Sequence, residues 1–573
     1  MFSDALRQYR AVSSDSFPAA TPGLPSLAVP VPGQTRIAID VRRIAWIRKL
    51  AGDYAFHFPK VADLYAGDPA SREAWSESIR RAAGYDRPGR DMAAVLGRQQ
   101  EARSSPPAAR DAAARLAVPG TVAIVTGQQA TAFGGPLFTL LKAITAMRLA
   151  RRVAREHQVE VVPVFWVHAE DHDWDEVAAC TILDRAYQPA TVRLGRPEGA
   201  GELPVGELKL DAAVEDAIDS LQSALAPSDF TGWTVSALRQ AYTPGTSISQ
   251  AFARWLDALL GPHGLVVFES SDPAAKPLVS DIFERELREP GRTASLAAAA
   301  GATLASRGHQ PQVEPQPDAT ALFHMNGART AIRRRDTGYA VGERSASADE
   351  LIAEVRSAPW RFSPNVLLRS VVQDRLFPTI AYVPGPSELA YLGQLRGVYD
   401  HFGVPMPLLF PRATATLIDS ATARFLQRYD VPVEALQPQD EAALNRLLES
   451  QLPASIEGAL KDAEEKVRGS LERLAEAMPA LDPTLAGAAR TTLGRMQHEL
   501  QALHSKVIQA AKRRDETLRR QFTRAQTQIF PLGHPQERTL GLPFFLNRYG
   551  PALVERLLED LPMEPGYHWV MTI

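Results

Sequence analysis

Five short runs of apolar and β-branched residues recur along the chain, and helical patterns separate them. Runs of this kind are typical of parallel strands that are buried on both faces of an α/β domain. The predicted strands are residues 121–126, 160–167, 264–268, 379–383 and 407–410. The pattern therefore predicts an α/β fold with a parallel sheet as its core.

A polar or glycine-rich loop follows each predicted strand. In chain order, the loops contain GQQ, EDHD, SSD, PGPSE and PRAT. Ligands of open parallel sheets bind outside the carboxyl ends of the strands. The sequence therefore predicts that the five loops line one crevice and that this crevice is the functional site.

Two long segments interrupt the alternation of strands and helices, at about residues 178–255 and 290–370. Both contain short alternating stretches, and we interpret them as insertions beside the sheet. With these insertions, residues 1–420 form the predicted core domain. The glycine- and proline-rich segment 531–573 is predicted to return to that core.

The remaining segment, residues 421–530, has the apolar spacing of a helical hairpin with coiled-coil character. Apolar residues recur every three or four positions in two series, which Asp482 and Pro483 separate. The first series is Ile456, Leu460, Ala463, Val467, Leu471, Leu474 and Met478. The second series is Leu493, Met496, Leu500, Leu503, Val507, Ala511, Leu518, Phe522, Ala525 and Ile529.

The second helix of this hairpin would extend roughly 70 Å at about 1.5 Å per residue. Each series contains one four-four step, at residues 463–471 and 507–515, which predicts local unwinding of the supercoil. Packing on a second subunit and an intramolecular antiparallel coil are both compatible with this pattern. We expect a homodimer through the coiled coil.

Charge restricts the partners of the chain. It has 63 Lys plus Arg and 66 Asp plus Glu among 573 residues, so its formal net charge is −3. This balance provides no long-range field to attract nucleic acid or an acidic membrane. The basic residues between Lys506 and Arg524 lie on a predicted coiled coil without interleaved aromatic residues, which favours a solvated helix face.

The cysteine content and the apolar stretches indicate the compartment. The single cysteine, Cys180, excludes an internal disulfide framework and is expected to be a small buried residue. The first 17 residues lack the apolar core of a secretory signal, and no segment approaches the roughly 20 apolar residues of a membrane span. We therefore expect a cytoplasmic protein.

The segment of residues 126–136, TGQQATAFGGP, is predicted to join the first strand to a helix. Backbone N–H groups of such a turn, together with the positive helix end, bind anions. We predict nucleotide or substrate binding by Gly127, Gln128, Gln129, Gly134 and Gly135. The alternative is a tight turn that needs glycine for its backbone geometry alone. Neither a GxGxxG fingerprint nor a Walker lysine is present.

Titratable residues follow the most apolar strand. Desolvation beside such a strand can shift the proton affinities of Glu170, His172 and Asp173 towards values useful in catalysis. A surface loop with ordinary acidic helix caps is the alternative. Because four adjacent side chains cannot all face one ion, no metal is assigned to this loop.

Further candidates lie in and around the PGPSE loop. Gly385 forms its turn, and Glu388 and Tyr391 are predicted to face the crevice. Asn365, Arg369 and Arg412 offer donors for carboxylate or phosphate groups. Helix capping is the alternative for Ser387 of the same loop, and an ordinary surface position is the alternative for the arginines.

Four long strings stand in order across most of residues 120–550: VTGQQATAFGGPLFTLLKAITAMRLA, VVPVFWVHAEDHDWDEV, SPNVLLRSVVQDRLFPTIAYVPGPSELAYLGQLRGVYDHFGVPMPLLFPRAT and QERTLGLPFFLNRYG. They resemble the cysteine ligases of bacillithiol biosynthesis, the BshC family. The resemblance implies a Rossmann-like core with connecting-peptide insertions and a coiled-coil domain used for dimerisation. The implied reaction adds L-cysteine to glucosaminyl-malate (GlcN-Mal) and forms bacillithiol.

The resemblance also implies activation of the cysteine carboxylate, because an amide does not form from a free carboxylate unaided. ATP or another nucleotide is the expected cosubstrate, although the HxGH and KMSKS strings of class I aminoacyl-tRNA synthetases are absent. We predict that His172, with Asp173, accepts the amine proton and that Arg412 stabilises negative charge.

Two other functions are compatible with the residues alone. The glycine-rich segment would also suit a nucleotide-dependent transferase, similar to a nucleotidyltransferase, that acts on another small molecule. A dimeric scaffold without catalysis would use the coiled coil only. Five polar loops at strand ends argue against the scaffold, because it would need no polar crevice.

Overall fold

The computed structural model describes residues 27–31, 34–335, 338–482 and 485–573. The first 17 residues, on which the prediction about secretion rests, lie outside these ranges. Residue contacts divide the chain into two compact units. The first unit contains the described residues up to Leu417 together with Gln536–Met571 and Ile573, and the second contains Ile418–Pro535 and Thr572.

A five-stranded parallel sheet forms the core of the first unit. Its strands are β1 (Val122–Gln129), β2 (Val161–His168), β3 (Val266–Glu269), β4 (Thr379–Tyr382) and β5 (Leu408–Leu409), in the order β5-β4-β1-β2-β3. Every neighbouring pair is parallel. The predicted α/β fold and its five strands are confirmed.

One strand is longer than its apolar run. β1 continues past the predicted end at residue 126, because Gly127, Gln128 and Gln129 pair in register with Trp166, Val167 and His168 of β2. Two polar side chains therefore stand at the end of the ladder, on the carboxyl edge of the sheet.

Helix α1 (Leu137–His157) is the crossover between β1 and β2. Its first half is buried on almost every side, from Leu137 to Met147. Arg155 and His157 lie in its last turn, where positive charge is favourable next to the helix dipole. The predicted crossover helix is thus present.

The two segments interpreted as insertions have different structures. The first begins with the hairpin Ala179–Leu183 and Pro189–Arg193 and continues with three helices. The second contains an antiparallel sheet with the strand order Arg344–Ala346, Gly338–Val341, Ala328–Arg335, Ala319–Asn326 and Phe362–Pro364. A further four-stranded sheet has the order Leu27–Val31, Gln34–Asp40, Tyr567–Thr572 and Thr414–Ile418.

Helices surround these sheets in the first unit. Besides α1 they are Lys49–Phe56, Arg72–Gly84, Gly89–Arg103, Pro107–Arg115, Trp174–Val177, Ala213–Ala224, Thr231–Ala241, Ile248–Leu260, Ser280–Arg288, Arg292–Ser306, Ala348–Ser357, Val366–Leu376, Leu389–Leu392, Arg396–Phe402, Gln536–Thr539, Leu542–Tyr549 and Ala552–Asp560. In the part of the chain with described structure, no helix is both long and apolar enough to cross a membrane.

The second unit is helical. Its helices are Ser420–Tyr429, Ala442–Ser450, Ala454–Ala477, Leu485–Arg514 and Glu516–Ile529. Ala454–Ala477 and Leu485–Arg514 pack against each other as a hairpin. The predicted coiled-coil character is confirmed, and the two helices form an intramolecular pair.

The prediction of one long second helix is wrong. Leu485–Arg514 has 30 residues, or about 45 Å, and ends at Asp515, whose φ of −111° and ψ of 65° are not helical. The Asp515 side chain accepts a hydrogen bond from the Leu518 N–H at 2.8 Å and so caps the following helix. The break falls at the end of the predicted four-four step, residues 507–515.

Candidate active site

A buried lysine joins the carboxyl ends of β1 and β4. Lys142, on the second turn of α1, is 1% exposed. Its Nζ donates to the Gly127 carbonyl at 2.8 Å and to Gln128 Oε1 at 3.3 Å, and forms an ion pair with Glu388 at 2.7 Å. Burial lowers the pKa of Lys142, and the Glu388 carboxylate opposes that shift. The pair holds the PGPSE loop beside the end of β1.

Glu388 also closes its own loop. Its second carboxylate oxygen accepts a hydrogen bond from the Gly385 N–H at 2.7 Å. One carboxylate therefore links the turn at Gly385 to Lys142 on α1. This arrangement explains why Gly385 and Glu388, predicted as separate candidates, act as one unit in the structure.

A second buried cation lies in the same cluster. Arg369, on the helix Val366–Leu376, donates from Nη2 to the Tyr391 hydroxyl at 3.1 Å. Burial raises the pKa of Tyr391, so its phenol is neutral at physiological pH. Arg369 and Lys142 together place two positive charges near the strand ends.

His168 is the last residue of β2 and lies over Gly127. A Cβ at Gly127 would stand 2.7 Å from the Trp166 carbonyl oxygen and 3.2 Å from His168 Nε2, so only glycine permits this approach. Burial is the main reason that the pKa of His168 lies well below its ordinary value, and the charges of Arg369 and Lys142 lower it further. The imidazole is therefore neutral at pH 7 and is a weak base in this environment.

These residues form what we call the strand-end cluster: Gly127, Gln128, Lys142, His168, Arg369, Gly385, Glu388 and Tyr391. At the adjacent end of β1, the Nε2 of Gln129 is buried and has no hydrogen-bond partner among the described residues. The cluster combines cations that attract a carboxylate with a neutral base and an unpaired amide donor.

The EDHD loop has other partners. Glu170 forms an ion pair with the buried Lys276. The His172 side chain is 50% exposed, and its Nδ1 lies 3.4 Å from Asp171 Oδ1. Asp173 accepts a hydrogen bond from the Glu176 N–H at 3.1 Å and caps the helix Trp174–Val177. The structure does not bring His172 and Asp173 together as a pair, because Asp173 caps the helix and the His172 imidazole lies beside Asp171.

The glycines at 134 and 135 are used for packing. The Gly134 N–H donates to the Tyr242 hydroxyl at 3.0 Å, and the Gly135 N–H donates to the Ala132 carbonyl. Gly134 has a φ of +90°, and a Cβ there would stand 2.5 Å from Trp255 Nε1. The structure supports the tight-turn alternative here, since protein acceptors occupy both amides.

Two other predicted residues are tied to neighbours. Asn365 Oδ1 accepts hydrogen bonds from the Leu367 and Leu368 N–H groups and caps the helix Val366–Leu376. Arg412 is 4% exposed and forms a bidentate ion pair with Glu537, at 2.8 and 2.7 Å. Helix capping thus accounts for Asn365. The buried carboxylate of Glu537 neutralises the positive charge with which Arg412 was predicted to stabilise a negative group.

Comparison with known proteins shows what this site belongs to. A family model described as "Bacillithiol biosynthesis BshC, N-terminal Rossmann-like domain" matches residues 37–413. A second, described as "Bacillithiol biosynthesis BshC, C-terminal coiled-coil domain", matches residues 415–573. The chain belongs to the BshC family. The Rossmann-like core and the coiled-coil domain implied by the resemblance are thereby confirmed.

Relatives of nearly equal length carry one name, "Putative cysteine ligase BshC". The relative from Salinibacter ruber is 34% identical over 91% of this chain and 95% of its own length. The relative from Koribacter versatilis is 31% identical over 91% of this chain and 97% of its own length. These matches support the ligase interpretation and not the transferase alternative.

Two members of the strand-end cluster, Lys142 and His168, are absent from the residues predicted on the sequence, as is Glu537, the partner of Arg412. A signal existed for Lys142, because it is the only charged residue in the apolar half of α1 between Leu137 and Met147. Glu537 gave no signal, since its partner Arg412 lies 125 positions away in the sequence.

Proposed function

We propose that this BshC-family chain is a ligase that joins the carboxyl group of L-cysteine to the amino group of GlcN-Mal and forms bacillithiol. The observation that carries the proposal is the match of both family models, which together extend from residue 37 to residue 573. The strand-end cluster supports it, because its charges and its neutral base suit a carboxylate and an amine.

The neutral imidazole of His168 accepts the proton that the sugar amine loses when it attacks the cysteine carbonyl carbon. We assign this role to His168 instead of His172, whose imidazole is half exposed and contacts Asp171. His172, Asp173 and Glu170 remain candidates for positioning the substrates at the rim of the site.

The positive charge of Arg369 attracts the cysteine carboxylate and stabilises the negative oxygen that forms when the amine attacks. Lys142, whose charge Glu388 balances, holds the Gly127 carbonyl beside this position. Gln128, Gln129 and Tyr391 offer polar groups that orient the substrates beside Gly127. Positioning of two reactants in this way removes much of the entropic cost of their encounter.

ATP, or another nucleoside triphosphate, is the proposed cosubstrate. A carboxylate oxygen of cysteine attacks the γ- or α-phosphorus of ATP, which breaks a phosphoanhydride bond, releases ADP or pyrophosphate and leaves a mixed anhydride. The amine then displaces phosphate or AMP from that anhydride. The bond formed is the amide C–N bond, and the bond broken is the carbon–oxygen bond to the phosphoryl group. The occupied amides of Gly134 and Gly135 do not supply a phosphate cradle.

Reconstitution tests the proposal. The purified chain is incubated with L-cysteine, GlcN-Mal and ATP, and bacillithiol and the nucleotide product are quantified by mass spectrometry. We expect bacillithiol in proportion to the nucleotide consumed, and none without ATP. Transfer of a nucleotide group to another acceptor without bacillithiol would support the transferase instead.

We propose further that the protein acts in the cytoplasm as a homodimer formed through the second unit. Three apolar side chains of the hairpin, Leu474, Met496 and Leu503, are 46, 46 and 50% exposed. They belong to the apolar series that predicts the coiled-coil seam. The pairing of the two hairpin helices leaves this seam half exposed. A second copy of the chain is suited to cover it.

A further inference from the structure

A small pocket in the first unit is lined by three arginines, Arg48, Arg412 and Arg538. The other lining residues are Trp46, Ile47, Pro386, Ser387 and Glu537. The pocket adjoins the strand-end cluster, because Pro386 and Ser387 belong to the PGPSE loop. A Cβ at Gly385 would stand 3.8 Å from Arg412 Nε and 3.9 Å from the Glu388 carboxylate.

The lining carries excess positive charge. It contains three guanidinium groups and one carboxylate. That carboxylate, Glu537, already accepts hydrogen bonds from two nitrogens of Arg412 and from the Ala415 N–H at 3.0 Å. Glu537 therefore neutralises Arg412. The guanidinium groups of Arg48 and Arg538 also line the pocket, and they would attract a negative group.

Two donors of the lining lack an acceptor. Arg412 Nε and Arg48 Nη1 are buried and have no hydrogen-bond partner within the described chain. Arg412 itself is 96% buried, at 4% exposure. A buried donor without an acceptor destabilises the empty pocket, so a ligand oxygen at this position would satisfy it.

The aromatic ring of Phe138 positions two of the cations. The guanidinium carbons of Arg412 and Arg538 lie 5.5 and 5.7 Å from the centre of this ring. Phe138 is the second residue of α1, so the pocket lies close to the positive end of that helix. The dipole adds to the attraction of a negative ligand.

We propose that this pocket binds an oxyanion carried by a substrate, either a carboxylate of the malyl group or a phosphate of the nucleotide. Both groups present oxygens that guanidinium N–H groups and the Ser387 hydroxyl can bind. The identity of the ligand rests on the proposed function, whereas the existence of the pocket does not.

Calorimetric titration of the full chain tests the pocket. L-Malate and inorganic pyrophosphate are titrated separately into the wild type, Arg48→Gln, Arg538→Gln and Ser387→Ala. The matched control is Arg98→Gln, since Arg98 is exposed on the helix Gly89–Arg103. We expect saturable binding of at least one anion, weakened about tenfold or more by either arginine substitution and unchanged in the control.

The two anions distinguish the source of the oxyanion. Binding of malate alone assigns the pocket to the malyl group, and binding of pyrophosphate alone assigns it to the nucleotide. Arg48→Lys keeps the charge and should weaken binding less than Arg48→Gln, which guards against a folding defect. Absence of binding to the wild type, or binding by Arg48→Gln and Arg538→Gln that is as tight as that of the wild type, would overturn the proposal.

This titration requires no ligase turnover. A chain that binds the anions but forms no bacillithiol would contradict the proposed function and would still support the anion-binding pocket. A chain that forms bacillithiol but binds neither anion would contradict the pocket alone.

Discussion

At the scale of single residues, two histidines separated by four positions have different environments. His168 lies in the strand-end cluster with its pKa lowered by burial and two cations, whereas the His172 side chain is 50% exposed. We predict that His168→Gln lowers the rate of bacillithiol formation at least about a hundredfold, the usual contribution of a general base.

His172→Gln is the comparison variant. A side chain that only helps to position the substrates at the rim should change the rate by no more than a few fold. The comparison is made in the reconstituted reaction, with the folding of both variants checked by circular dichroism. A loss of activity confined to His172→Gln would reverse the assignment and restore the role predicted from the sequence.

A third histidine predicts how stability depends on pH. His568 is 1% exposed, its Nε2 lies 2.9 Å from Thr416 Oγ1, and burial lowers its pKa to about 4. The unfolded chain takes up a proton near pH 6.5, and the folded chain does so only near 4. Stability should therefore be complete above pH 6.5 and fall by roughly 3 kcal/mol as the pH decreases towards 4.

His568→Gln should remove most of this decrease, since glutamine does not titrate. The measurement is the denaturant midpoint between pH 4 and pH 8. His534→Gln, at an exposed position, serves as the control and should leave the profile unchanged. An identical decrease in wild type and His568→Gln would show that other groups cause it.

The residue scale is also where prediction from the sequence was weakest. Gly127, Gln128, Glu388 and Tyr391 could be found because each follows a recognisable strand. The ion pair of Lys142 with Glu388 joins residues 246 positions apart, and no local sequence pattern spans that separation. Aspartate and asparagine occur both as catalytic groups and as helix caps, so only the geometry shows that Asp173 and Asn365 are caps.

At the scale of elements, the five parallel strands could be predicted from the sequence because they are buried on both faces. A strand that contacts helices on each side must be apolar along its whole length, so its sequence differs from that of an exposed helix or loop. The helix break at Asp515 had only a weak signal, the four-four step at residues 507–515, which predicts local unwinding and not a break. The Asp515 cap redirects the backbone there.

The cap at Asp515 can be tested directly. Asp515→Ala removes the acceptor of the Leu518 N–H and should destabilise the first turn of Glu516–Ile529 by about 1 kcal/mol. Hydrogen exchange at the Leu518 amide should then be about fivefold faster. Asp515→Asn retains an acceptor and should exchange like the wild type. Equal rates in all three proteins would contradict the capping role.

At the scale of the whole molecule, we predict a dimer through the hairpin. Leu503→Asp combined with Met496→Asp places two charges on the half-exposed seam and should convert the dimer into a monomer. Light scattering coupled to size exclusion would show the wild type at twice the mass of one chain. Val118→Asp, at a 56% exposed position of the first unit, is the control. A monomeric wild type would contradict the dimer.

The order of the four long strings along the whole chain makes the family recognisable from the sequence. These strings, which resemble BshC, lie within the regions that the two family models match, residues 37–413 and 415–573. The chemistry of activation has no comparable signature, because neither synthetase motif occurs in the sequence. Only an isotope can follow the carboxylate through the reaction.

The most direct test of the central claim uses L-cysteine labelled with oxygen-18 in both carboxylate oxygens. If the chain activates that carboxylate with a nucleotide, one labelled oxygen remains in the amide of bacillithiol. The other appears in the released phosphate or nucleoside monophosphate, once per turnover. Mass spectrometry of both products measures the transfer. Bacillithiol formed without label in any phosphorus-containing product would contradict the account.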